Sequence, residues 1–82
     1  MSFAVRVVAV APGGERAYVE SEWLDAVVWV ERGEIELRGA GGGRRRFASG
    51  DLIWLDGVPL RALHNPGDEP AVLRAVSRTL PV

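Results

Sequence analysis

Short β-branched and alternating runs are cut by glycine, proline and aspartate at roughly 8–12-residue intervals, the pattern of an all-β domain. Residues 3–10 read as a first strand, ended by Ala11-Pro12-Gly13-Gly14, and residues 16–20 as a short second one. Residues 24–31 (LDAVVWVE) are apolar almost throughout, which predicts a strand covered on both faces. After a tight turn, residues 34–38 alternate charged and apolar side chains, as a half-exposed strand does. Residues 39–43 form a loop nearly free of side chains. Residues 44–48, 52–55, 60–64 and 71–78 complete the set, separated by turns at 49–51 and 56–59 and by the loop NPGDEP at 65–70.

This predicts about eight short strands and, with no ten-residue stretch of helical periodicity, no helix beyond a single turn. Strands joined by short turns are antiparallel, and eight of them must close or stack to cover their edges. A small antiparallel jelly-roll β-barrel satisfies that.

At 82 residues the chain makes one domain, 1–82, and a chain this short buries only about 60–65% of its unfolded surface. No cysteine is present to staple it or to act as nucleophile or ligand. The 48% hydrophobic content is needed for the core, and a second copy of the chain would cover part of the rest. With a formal charge of −1, no long-range field draws the chain to nucleic acid or anionic membrane. Arg44-Arg45-Arg46 is not one patch, because in a strand Arg45 faces away from its neighbours. No apolar run approaches the 18 or so residues of a membrane span, and the first residues lack the features of a signal peptide. The expected setting is cytoplasmic, without nucleic-acid or membrane partners.

The glycine spacing brings in a family. From Gly14, five residues lead to Glu20-Ser21-Glu22, three more to Ala26 and six more to Gly33. From Gly50, the same kind of count reaches Asp56, Val58, Arg61 and Asn65, followed by Pro66. These two stretches, 14–33 and 50–65, resemble the two motifs of the cupin superfamily. The first reads G, five residues, HXH, three or four residues, E, six residues, G. The second reads G, five residues, PXG, two residues, H, three residues, N. The resemblance implies a cupin-type barrel and commonly a homodimer. In cupin enzymes three histidines and a glutamate hold a divalent ion. Here those positions carry Glu20, Glu22 and Ala26, with Arg61 at the fourth, or Leu60 if Gly57 and Pro59 mark a turn shifted by one residue. No metal or other cofactor is therefore favoured.

Glu20 and Glu22, two apart in an extended segment, would share one face looking into the barrel mouth. In one reading they meet the Arg61 guanidinium across the pocket in a planar, bidentate pairing. In another all three are solvated rim residues. A third set, Glu20, Glu22 and His64, has the chemistry to bind Zn, Fe, Mn or Ni. Trp29 and Trp54 are expected in the core or a subunit contact, and Trp23 at the pocket mouth. The ligand-pocket candidates are thus Glu20, Glu22, Trp23, Ala26, Leu60, Arg61 and His64. They serve a small-molecule-binding or regulatory dimeric module or, alternatively, an enzyme with an atypical metal site or a glutamate general base.

Overall fold

Alternating side chains become eight strands in the computed structural model, which describes residues 2–79; the ends of the expected domain, residues 1 and 80–82, lie outside the described residues. The strands are β1 (Ser2–Val10), β2 (Glu15–Ala17), β3 (Ala26–Arg32), β4 (Glu34–Gly39), β5 (Arg44–Ala48), β6 (Leu52–Trp54), β7 (Leu60–His64) and β8 (Ala71–Thr79). They form two four-stranded antiparallel sheets, ordered β1-β8-β3-β6 and β2-β7-β4-β5. The fold is all-β, as expected, but the barrel is not closed. The sheets face one another across a shared core, and no strand ladder joins one to the other.

The core follows the period of two. Val8 and Val10 of β1, Val28 and Val30 of β3, Ile53 of β6 and Leu73 of β8 turn inward from the first sheet. Ile35, Leu37 and Leu63 meet them from the second. Burying a side chain of this kind contributes about 1.5–3 kcal/mol, so this apolar sandwich is the main source of stability. The strand β3, expected to be covered on both faces, is covered on one. Val27 remains 43% exposed on the outer side and Trp29 only half-buried, because nothing in the described chain packs over that face.

Two segments depart from the sequence reading. The second strand stops at Ala17, and residues Glu20–Glu22 form a 3₁₀ turn. The Glu22 amide donates to the Val19 carbonyl and that of Trp23 to Glu20, both at 3.0 Å. Asp25 then adopts φ +55°, a left-handed conformation that ends any extended run before Ala26. The chain has to pass from the second sheet to the first between β2 and β3, and it does so by folding Trp23 inward, where it is fully buried.

The motif glycines and Asn65 fix the turns. Gly33 has φ +75°, and a Cβ there would come within 2.6 Å of the Pro70 carbonyl oxygen. Asn65 is fully buried. Its Nδ2 donates to the carbonyls of Val10 (3.0 Å) and Glu69 (2.8 Å), and its Oδ1 accepts from the Gly67 amide at 2.9 Å. Its backbone amide donates to the Gly14 carbonyl, and its carbonyl accepts from the Gly13 amide.

Asn65→Ala removes three side-chain hydrogen bonds and strands buried backbone groups, so unfolding should become easier by about 2–4 kcal/mol in urea denaturation. A loss below about 0.5 kcal/mol would show that Asn65 does not tie these segments together.

Candidate functional site

The expected site residues do not assemble as one pocket. Glu20 is exposed on the 3₁₀ turn. Glu22 does not face Arg61: its Oε2 accepts from Arg16 at 3.0 Å, with Arg6 at 3.8 Å. The turn, in place of an extended segment, swings the two carboxylates apart. Arg61 is exposed and makes no ion pair among the described residues. Trp23 lies in the core and not at a mouth, with the Arg6 guanidinium 5.2 Å from its ring centroid. Trp29 and Trp54 are not core residues either; Trp54 is 53% exposed on the edge strand β6.

A bulge falls at the fourth motif position. Arg38 pairs with Ala62 but Gly39 pairs with Leu60, so Arg61 is an extra residue on β7. The bulge turns Leu60 inward, where it packs against the core. Ala26 is likewise buried. Two of the four positions at which the family holds an ion thus end in methyl groups with no donor atom, and Glu22 is already engaged by arginine. This set does not fit a metal ion. Nor do Glu20, Glu22 and His64 gather: no group of three or more His, Asp or Glu among the described residues is placed to hold one.

His64 instead faces outward on the second sheet, opposite Glu15 on β2 and Glu36 on β4. That outer face is a charged ladder. Arg38 bridges Glu36 (3.1 Å) and Glu15 (3.6 Å), and Arg46 lies 3.8 Å from both Glu34 and Glu36. Glu36 is screened from water by these arginine side chains and not by the core, since its neighbours Ile35 and Leu37 are the ones that point inward. The hydrogen bond from Arg38 holds its carboxyl below the usual glutamate value. Partial desolvation works against that shift, and the positive charge of Arg38 and Arg44 adds to it.

The concavity the structure does form lies at the open seam between the edge strands β5 and β6. It is a cleft of about 570 Å³, within the range of small-molecule pockets. Leu37, Ile53, Leu55 and Leu60 form its floor, and Phe47, Trp54, Val58 and Pro59 its walls. Gly39, Gly41 and Gly43 make one lip, with Arg44 and Arg45 beside it. Of the expected pocket residues, only Leu60 lines this cleft. The arginines, Phe47 and the glycine lip were missed as a site. The available signal was a side-chain-free glycine loop leading directly into three arginines and Phe47.

A second feature is the outer face of the first sheet. Cross-strand register aligns Val5, Val76, Val27 and Trp54 in one row, and Val7, Arg74, Trp29 and Leu52 in the next. Phe3 is 62% exposed and Leu52 69%. A shallow groove of about 270 Å³ on this face is lined by Phe3, Val27, Trp54 and Val76, with Asp25 and Arg78 among them. Neither charge makes an ion pair with the described residues. Leu52 and Trp54 belong to both the groove-bearing face and the seam cleft.

Solved structures share this architecture. A Cupin 2 conserved barrel domain protein from Salinispora arenicola CNS-205 is 31% identical over 90% of this chain, with a TM-score of 0.68. The chain spans 60% of that protein's length. The Cupin_2 domain of an XRE family transcriptional regulator from Enterobacter cloacae superposes with a TM-score of 0.71 at 20% identity, covering 95% of this chain and 83% of that one, a likeness of fold. No protein-family model matches the sequence. No curated protein matches it significantly.

The lowered Glu36 pKa gives stability that is fully present above the ordinary glutamate value and lost as pH falls through the lower, folded-state value. Glu36→Gln should therefore reduce the urea midpoint at neutral pH, and the gap to the parent chain should close in strong acid. A gap that stays constant with pH would mean that the carboxylate's charge is not what stabilises the ladder.

Proposed function

We propose that this chain, which belongs to the cupin superfamily, is a metal-free module that holds a small organic molecule in the seam cleft and works as a homodimer. The single observation that carries the reading is the exchange of chemistry inside the barrel. Where the family places ligands for an ion, Ala26 and Leu60 present only carbon, and Leu60 helps floor an apolar cleft. A pocket of this kind recognises a ligand by burial and shape, with a few polar groups to orient it.

The dimer reading draws on the contrast between the two outer faces. The face of the second sheet carries charges paired across strands and is at ease in water. That of the first, beside one cross-strand pair of Arg74 with Glu31, presents valines, tryptophans and Leu52 in rows that span all four strands, an apolar patch of the sort that marks an interface. Asp25 and Arg78, opposite in sign and flanking one groove, make the face self-complementary for a twofold partner. A regulatory role is the natural extension, in line with the Cupin_2 domain of the Enterobacter cloacae transcriptional regulator, whose fold is similar. Leu52 and Trp54, shared by cleft and dimer face, are the side chains through which ligand occupancy reaches the partner.

Two measurements test this. Elemental analysis of protein purified without added metal should find no stoichiometric Fe, Mn, Ni or Zn; an ion bound one per chain and lost in Glu22→Gln would refute the metal-free reading. Light scattering should report a dimer at micromolar concentration, and Val5→Glu with Val27→Glu should yield a folded monomer, since both side chains point away from the core. A monomeric parent chain would remove the dimer from the proposal.

A further inference from the structure

We propose that the seam cleft selects apolar monocarboxylates, with the hydrocarbon body between Phe47 and Trp54 and the carboxylate on Arg45. This inference rests on the reading of the cleft as the ligand site and adds the chemical class of the ligand.

The charge of the lining carries it. Among the residues that line the cleft there is no aspartate or glutamate, and the only ionic groups are Arg44 and Arg45. In a chain whose acids outnumber its bases, eleven to ten, an all-cationic rim is a local feature and not a reflection of composition. Arg45 also lacks a carboxylate partner among the described residues. Its two neighbours belong to the outer face: Arg44 pairs in register with Arg38 and adds its charge to that felt by Glu36, and Arg46 lies 3.8 Å from Glu34 and from Glu36, whereas Arg45 makes no ion pair among the described residues. Arg45 pairs in register with Leu37 and so lies on the inward side of β5, with its guanidinium 5.7 Å from the Phe47 ring centroid. Phe47 thus holds one cation beside the apolar wall. A guanidinium presents a planar fork of donors that matches a carboxylate.

The glycine lip fits the same purpose. A Cβ at Gly41 or Gly43 would meet nothing within 4 Å, so the absence of side chains there leaves entry room and is not demanded by packing. The competing account is that the arginines only keep an exposed edge strand soluble. It predicts no preference among ligand head groups.

The experiment uses matched probes on the full chain: decanoate against decan-1-ol and decylamine, and 2-naphthoate against 2-naphthylmethanol, followed by tryptophan fluorescence and calorimetry. At least one carboxylate should bind tenfold or more tighter than its alcohol, with the amine weakest, and the preference should shrink as salt rises. Arg45→Gln should bring the carboxylate to the affinity of the alcohol and leave the alcohol unchanged. Gly41→Trp, which fills the lip without touching the core, should abolish binding of both. Equal affinity for acid and alcohol, with both lost in Gly41→Trp, would overturn the carboxylate assignment and leave the cleft as a neutral apolar site. Failure of every probe to bind the parent chain, or binding undiminished by Gly41→Trp, would overturn the cleft itself and the assignment with it.

Discussion

The architecture depends on one buried amide. Asn65 ends β7, yet its side chain reaches the last carbonyl of β1, and it closes the loop that leads into β8. Its own peptide groups engage Gly13 and Gly14 in the turn between β1 and β2. The edge strand of the first sheet, the edge strand of the second and the loop between β7 and β8 are therefore held at one point. Because two open sheets have no shared ladder to register them, such a clamp does what strand closure does in a continuous barrel. Its cost is low because every polar atom of the Asn65 side chain finds a partner inside.

With that corner pinned on the side of β1 and β2, the opposite seam, between β5 and β6, is free to stand apart. No comparable polar clamp joins those two strands. The turn after β5 is held instead to β3 and β4: Gly50 donates to the Val30 carbonyl and Ser49 to that of Gly33. Asp51 Oδ2 accepts from the Ala48 amide and keeps the turn tight. The edges that flank the cleft are thus well anchored at one end and separated along their length, which gives a concavity with firm walls.

Inside, the residues at the positions that match the family's motifs do not gather as a ligand set among the described residues. An alanine on β3 and a leucine turned in by a one-residue bulge present carbon to the core, and the 3₁₀ turn leaves Glu22 with Arg16. Each arrangement is compatible with a dry interior, because an unpaired buried carboxylate would carry a large desolvation penalty and carbon carries none. The outer faces differ as well: the second sheet's is a ladder of paired charges, while the first sheet's is mainly apolar beside the single Arg74–Glu31 pair.

Strand number, strand order along the chain and most turns were legible in the sequence, because they are set by features that act over a few residues. Alternation placed Ile35 and Leu37 inward, glycine marked the left-handed turns at Gly33 and Gly50, and the loop after Asn65 announced itself by composition. Of the candidate site, only Leu60 was legible among the residues expected to line a pocket. Counting residues assumes a regular extended chain, and both places where the count mattered were irregular: the turn at residues 20–22 and the bulge at Arg61. The sequence by itself determined an antiparallel all-β chain with cupin spacing. Only the tertiary structure decided where the two sheets fail to meet, which arginines lack a carboxylate and which valines face water. Those depend on how distant strands approach one another, and no local preference of the chain encodes that approach.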